Sequence, residues 1–287
     1  LDPVKNLGIN AIGIEPAKNV AKIANSKKLE TLSEYFSDKT VNKITKKHGK
    51  VDVVTAFNVF AHGDGLKDIL KNTEELLKKN GEFIFEIQYL LRTLKDLTFD
   101  NIYHEHVNYW CLIAIINFFK NSQMKVYKVK EVDTHGGSLR VYATKNKDKR
   151  IHKSVGEYIK IEKRNKLDQY STYLEFAKKV HDTKKKSLEM VNQINILGGK
   201  AIGLSGVDDG LVTAKMQNPN WGYVGEVDKV KSKSIFELVK LGYIPVIAPL
   251  CLNSKPQSDD QILNVNADSV AGEIARSIKA NKLIFIT

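Results

Sequence analysis

Cysteine is nearly absent. Cys111 and Cys251 are the only two in 287 residues, too few and too far apart for a disulfide framework or a zinc cluster. A reducing, cytoplasmic compartment is the simple inference. Long apolar runs are missing as well: the longest, near 111–119, is about half of what a bilayer requires, so no membrane span is expected. No signal-peptide pattern opens the chain. It begins at Leu1 with no Met, which suggests a partial reading frame or a trimmed product. Arginine is also scarce. The net charge of +12 comes almost wholly from Lys, with Arg only at positions 92, 140, 150, 164 and 276. Surfaces that read nucleic acid lean on Arg, and these Lys residues are scattered apart from a denser stretch over 145–186. The charge therefore reads as a solvated basic surface, with no nucleic-acid partner.

What is there is the composition of a globular chain, 42% hydrophobic and 27% charged, with core enough for one large domain or two ordinary ones. The first 144 residues alternate strand and helix signals, which predicts an α/β fold with a parallel sheet and covering helices. Strands are expected over 10–14, 51–57 (buried), 82–87, 125–132 and 138–143, the last two paired around His135-Gly136-Gly137. Helices are expected over 17–24, 66–79 and 113–119, the second stopping at Asn80-Gly81. The stretch 154–196 is Lys-rich and free of Pro, with Leu174, Phe176, Val180, Leu188 and Val191 near helical spacing. It reads as a helical connector. From Gly198 the alternation resumes: strands over 200–204, 223–230, 243–247 (buried), 262–265 and 283–286, a helical turn over 211–216, and helices over 234–240 and 267–280. The last strand would stop at the chain end without its partner elements. Three parts are thus expected: a domain over 1–150, a helical Lys-rich connector over 151–190, and a segment over 191–287.

Glu15 closes the first expected strand. An acid there can accept hydrogen bonds from both ribose hydroxyls of a bound nucleoside, or simply start the next helix. Asn58 and His62 follow a buried strand, where α/β sheets place ligands. Tyr103, Glu105 and His106 lie together in a non-repetitive segment. A histidine suits proton abstraction near neutral pH, and a neighbouring carboxylate can orient it. A metal reading of His104-Glu105-His106 lacks the one-face His-Glu-x-x-His spacing and any nearby Cys, so no metal is expected. Structural roles for the histidines remain the plain alternative.

Five words in order then resemble the sugar C-methyltransferases, which depend on S-adenosylmethionine (SAM). They are Gly13-Ile14-Glu15-Pro16, Phe57-Asn58-Val59-Phe60-Ala61-His62, Phe85-Glu86-Ile87-Gln88-Tyr89, Tyr103-His104-Glu105-His106 and His135-Gly136-Gly137-Ser138-Leu139-Arg140-Val141-Tyr142. The resemblance, over about 8–190, implies a Rossmann-like sheet, SAM as cofactor and a nucleotide-linked 4-keto-sugar as substrate, methylated at C3. By it, His106 is the base beside the keto group. Tyr103, Glu105 and His62 orient the sugar and stabilise the enolate, while Glu15 and Asn58 hold the cofactor. The family's zinc-binding N-terminal segment and glycine-rich first loop have no match here, since Leu1 already falls in the helix after that loop. The expected SAM site is therefore weakened.

A second series resembles the middle of acetylglutamate kinase, of the amino-acid kinase fold. It runs from Gly198-Gly199-Lys200 through Ser205-Gly206 and Gly222-Tyr223-Val224-Gly225 to Asn264-Val265-Asn266-Ala267-Asp268. This implies a partial α/β sandwich over 191–287, with N-acetylglutamate as partner and ATP with Mg only if the segment were completed. Asn264 would position the substrate carboxylate and Asp268 would fix cationic groups near a transferring phosphoryl. On spacing alone, both could equally cap the helix. Three function classes stay open: a C-methyltransferase, an acetylglutamate kinase-like protein, and an inactive chimera of two partial sequences. Both families suggest oligomers, but no state is assigned. The 287-residue chain is expected to bind SAM weakly or not at all, and saturable micromolar binding in calorimetry would contradict this. No ATP-dependent activity is expected from 191–287; ADP release with N-acetylglutamate present would overturn that.

Overall fold

The structure, a computed structural model, describes residues 4, 7–57, 59–60, 65–102, 106–217, 223–256 and 261–285, with Asp100 and His135 described by backbone only. In chain order the elements begin with β1 (Gly13–Ile14), α1 (Lys18–Ser26), β2 (Thr31–Leu32), α2 (Asp38–His48), β3 (Val51–Phe57), α3 (Leu66–Leu76) and β4 (Leu77–Gln88). Next come α4 (Leu90–Asp96), α5 (Leu112–Phe119), β5 (Lys125–Val132), β6 (Ser138–Thr144), α6 (Lys153–Arg164) and α7 (Tyr170–Ile196). After them follow β7 (Ala201–Ser205), β8 (Val212–Met216), β9 (Gly225–Val230), α8 (Ser232–Lys240), β10 (Ile244–Ala248), β11 (Leu250–Asn253), β12 (Ile262–Asn264) and α9 (Ala267–Ser277). Two compact units, Leu1–Leu174 and Glu175–Thr287, divide inside α7.

In the first unit, alternation along β4 and β6 makes a sheet with one dry face. Phe83, Phe85 and Ile87 of β4, and Leu139, Val141 and Ala143 of β6, are at most 1% exposed. They pack with Leu112, Ile115 and Phe119 of α5 and Val155 of α6. The strand order is β3-β4-β6-β5, with β3 parallel to β4 and the other pairs antiparallel. The opposite face is polar and part-exposed. One row across it reads Phe57–Glu86–Arg140–Lys130, the next Thr55–Ile84–Tyr142–Lys128. The parallel pair β1–β2 joins this body through Ile12, Ile14 and Leu32, which pack with Val51, Val54, Val41, Ile44 and Leu76.

Several expectations need correcting. The strand over 51–57 is not buried: Val53 is 47% and Phe57 51% exposed, because β3 is an edge strand with one uncovered face among the described residues. The helix over 66–79 ends at Leu76, where the fully buried Leu77 turns into the core and pairs with Val51. The ladder resumes at Val53 with Glu82, so residues 78–81 form a bulge. A Cβ on Gly81 would come within 2.9 Å of Leu77 Cδ2. The stretch 154–196 breaks after Asn165, because Lys166 takes a left-handed φ of 54° and Leu167 dips into the core.

In the second unit, β7 pairs in parallel with β10, and a mixed sheet runs β12-β11-β8-β9. Its core holds Val212, Ala214, Ile235, Cys251, Leu263 and Val270. The expected helical turn over 211–216 is instead strand β8: Val212 and Ala214 are buried, while Thr213 and Lys215 are not, which is a period of two. The strand over 243–247 is half-exposed rather than buried, with Ile244 at 51% and Val246 at 46%; among the described residues β10 pairs with β7 alone. Leu283, Ile284 and Phe285 form no strand and remain exposed; Ile286 lies outside the described residues. Strand β11 was not anticipated.

One carboxylate ties α6 to the rest. Glu162 is fully buried and accepts hydrogen bonds from Tyr89 Oη at 3.0 Å, Leu112 N at 2.5 Å and Ile113 N at 2.9 Å. The N-cap position of α5 is Cys111, whose side chain caps nothing. Glu162 therefore satisfies two of the orphan N–H groups of α5 from another helix and meets the positive end of its dipole. Burial and the adjacent carboxylate push the Tyr89 phenol above its ordinary range. Replacing Glu162 by Ala strands these donors in the core, and a loss of about 3 kcal/mol is expected. Urea unfolding followed by Trp fluorescence checks it, and an unchanged midpoint would contradict this role.

Candidate functional site

Beyond the C-terminal ends of the parallel strands β3 and β4, three excursions of the chain are fastened together. Phe60, after β3, is 2% exposed and stacks on Phe85 at 4.8 Å between centroids. Trp110 Nε1 donates to Phe60 O at 3.2 Å. Trp110 in turn bridges Tyr89, just past β4, with Leu90 N donating to Trp110 O at 2.9 Å. Aromatic residues thus pin the segment that ends at Trp110 against the strand ends, the place where open α/β sheets hold ligands.

His106 lies in that segment, half-buried. Its Nδ1 is 3.0 Å from the carbonyl oxygen of Asn101, and the Tyr109 hydroxyl donates to the same oxygen at 3.3 Å. A carbonyl only accepts, so Nδ1 carries the proton, and in the neutral ring the basic lone pair belongs to Nε2. The Tyr109 ring meets the imidazole edge-on, at 6.5 Å and 78°. Asn101 closes a short 3-10 turn, Phe99–Asn101. A Cβ on Gly136 would lie 4.0 Å from its Nδ2, so the His135-Gly136-Gly137 turn comes up beside the residue that orients His106.

That turn is held from two sides. Gly137 has φ of 106°, and a Cβ there would sit 2.8 Å from Arg92 Cγ; only glycine fits. Its carbonyl accepts from Tyr89 N at 3.1 Å. Arg92 is fixed by Asp96 at 2.6 Å and Glu131 at 3.1 Å, and Tyr158 Oη donates to Glu131 at 3.1 Å. On the other side the Thr134 hydroxyl donates to Glu86 Oε1. Glu86 also binds Arg140, through Nε at 3.0 Å and Nη2 at 2.9 Å. Sequence reasoning had not assigned roles to Glu86, Arg140 or Arg92. The opposite charges of Glu86 and Arg140 become a signal only once the register sets them directly across from each other.

Of the other expected residues, Asn58, His62, Tyr103 and Glu105 lie outside the described residues. Glu15 follows β1 and is half-buried; its Oε1 accepts from Ala17 N at 2.8 Å, at the start of α1. This helix-start contact engages one oxygen. A carboxylate with its second oxygen available, just past a parallel strand, has the acceptor chemistry a ribose diol needs. Among the described residues Glu15 and His106 share no contact. Burial pushes the Cys111 thiol up and that of Cys251 to about 11, so both stay protonated and neither is an activated nucleophile. Among the described residues no three His, Cys, Asp or Glu side chains converge as metal ligands.

In the second unit, Asn264 ends β12 and Asp268 stands in the first turn of α9, both exposed. The cap of α9 is Asn266, whose side chain accepts from Ser269 N at 3.1 Å. Asn264 and Asp268 are thus not the helix caps they could have been. Earlier in the same unit, Asp209 takes a left-handed φ of 53° and pairs with Lys231 at 2.8 Å and Ser234 at 3.1 Å. The bond from Lys231 holds its carboxyl below the usual range.

Known proteins resemble the chain in two ways. A methyltransferase domain family matches residues 1–129, and a C-methyltransferase C-terminal domain family matches residues 133–218. The C-methyltransferase NovU of Streptomyces niveus is 30% identical over 203 residues, covering 70% of this chain and 48% of NovU. The acetylglutamate kinase of Synechocystis is 47% identical over 100 residues, covering 34% of this chain and 32% of the kinase. Among solved structures, the magnesium protoporphyrin IX methyltransferase of Synechocystis overlays with a TM-score of 0.39 at 12% identity, covering 50% of this chain and 68% of that one. The larger part of the chain resembles C-methyltransferases and a further third resembles acetylglutamate kinase; the two matches total more than 287 residues and so overlap. The chain spans about half the length of NovU and about a third of the kinase.

Proposed function

We propose that the first part of the chain, residues 1–150, is an S-adenosylmethionine-dependent C-methyltransferase acting on the α-carbon of a nucleotide-linked keto-sugar in the cytoplasm. The single observation that carries this reading is the hydrogen bond from His106 Nδ1 to Asn101 O, which leaves Nε2 as the basic nitrogen. His106 Nε2 takes the proton from the carbon beside the keto group, and the electron pair moves onto the keto oxygen as an enolate. Tyr103, Glu105 and His62 orient the sugar and stabilise that oxygen. SAM, when bound, supplies the electrophilic methyl group. Glu15 would hold its ribose through the oxygen that Ala17 leaves available, and Asn58 would assist. The region 151–190 is read as the connector.

A second reading concerns residues 191–287. Because Asn266 caps α9, Asn264 and Asp268 keep their side chains for another task, in this reading the carboxylate of N-acetylglutamate and the organisation of charge around the phosphoryl group of ATP with Mg. This segment belongs to the kinase-like part of a composite chain.

The methyltransferase reading has a test that needs no cofactor. In D2O, the chain incubated with a thymidine diphosphate-linked 4-keto-sugar should wash out the C3 proton, as followed by NMR. Since a positioned base contributes about a hundredfold or more, His106→Gln should slow the exchange by at least that factor. Equal exchange in the variant and the parent would remove His106 from the role of base.

A further inference from the structure

Two side chains of the segment that carries His106 meet on a single oxygen. Asn101 is the last residue of its 3-10 turn, and a carbonyl at the end of a helical turn has no partner within it. That oxygen is taken instead from further along the chain. His106 Nδ1, five residues on, lies 3.0 Å away, and the Tyr109 hydroxyl, eight residues on, donates to it at 3.3 Å. A carbonyl oxygen has two lone pairs, so both donors are served at once. Tyr109 is itself held from the sheet. Its neighbour Trp110 donates from Nε1 to Phe60 O and bridges Tyr89, and Phe60 and Tyr89 are at most 2% exposed.

A tyrosine that only filled space here would need its ring and not its hydroxyl. The hydroxyl instead meets the same oxygen that fixes the proton on His106, and the ring stands edge-on to the imidazole at 6.5 Å and 78°. These contacts restrain two different freedoms. The shared carbonyl selects the tautomer, against the preference of a free histidine side chain for a proton on Nε2. The ring limits rotation of the imidazole about its Cβ–Cγ bond. We infer that Tyr109 is a positioning residue for His106: its hydroxyl aims the Asn101 carbonyl at Nδ1, so that the proton stays there and Nε2 remains the basic nitrogen. Tyr109 thereby passes the rigidity of the Trp110 anchor to the histidine. The inference deepens the C-methyltransferase reading, on which it rests, by naming the residue that prepares the base.

The test is a proton–nitrogen NMR spectrum of the isotope-labelled 287-residue chain, taken without substrate above the ordinary histidine pKa of about 6.5. Ring couplings distinguish a proton on Nδ1 from one on Nε2, and His106→Gln identifies the His106 signals by their loss. The parent should show Nδ1 protonated and Nε2 unprotonated. Tyr109→Phe keeps the ring and removes only the hydroxyl, and it should move His106 to a mixture of tautomers. It should also slow washout of the C3 proton about fivefold, the worth of one neutral hydrogen bond, with KM for the keto-sugar unchanged. Tyr109→Leu, which removes the ring as well, should slow washout further. A role in packing alone would leave Tyr109→Phe like the parent in both readouts, and that result would overturn the inference. So would a parent His106 with its proton on Nε2, a measurement that needs no variant to fold. A raised KM with an unchanged rate at saturation would make Tyr109 a substrate contact and overturn it too. A tautomer shift in Tyr109→Phe without washout by the parent would sink the methyltransferase reading and leave Tyr109 in this role. Washout that needs His106 but is indifferent to Tyr109→Phe would remove this inference alone.

Discussion

The buried carboxylate of Glu162 fixes the geometry of the first unit more than any other group. It takes a phenol from the end of β4 and two backbone N–H groups from the start of α5, all from a helix more than 40 residues further along the chain. A carboxylate in the core is tolerable only when its acceptor sites are filled, and here they are filled by groups that would otherwise be unsatisfied. Tyr89 is the common member of this knot and of the candidate site. Its hydroxyl answers Glu162, while its backbone receives the Gly137 turn and bridges Trp110. The segment carrying His106 is therefore tied to the sheet through Tyr89, which has no solvent exposure, as well as through Phe60.

From that anchor the two faces of the sheet divide the work. The dry face, built by alternate apolar residues of β4 and β6 under α5 and α6, supplies the burial that makes the unit fold. The polar face carries Glu86, Arg140, Tyr142 and two lysines, a distribution that a core would not accept but a ligand surface would. Arg92 and Glu86 brace the glycine turn from opposite sides. Rigid support of this kind lets a turn with two left-handed glycines hold a position beside Asn101 and His106.

The second unit has a core of its own around Cys251 and Leu263. Asn266 serves as the local cap of α9, so the helix is terminated without help from Asn264 or Asp268. Residues that a motif marks as functional and residues that the backbone needs for its own stability are here neighbours but distinct.

Much of the fold was legible in the sequence. The strands over 51–57 and 125–132 appear with the bounds expected, because β-branched and aromatic residues between polar turns encode a local preference. Both family resemblances were equally visible, since motifs are local words. Other features depended on partners far away in the chain. Leu77 ended a helix early because Val51 waited opposite it, and β8 took strand form because β9 and β11 flank it. At the site, the sequence by itself determined which side chains could do chemistry, His106 foremost. Only the tertiary structure decided that its Nδ1 meets Asn101 O and that Glu86 faces Arg140. Register and tautomer are set by contacts between distant segments, and a linear pattern of residue types does not contain them.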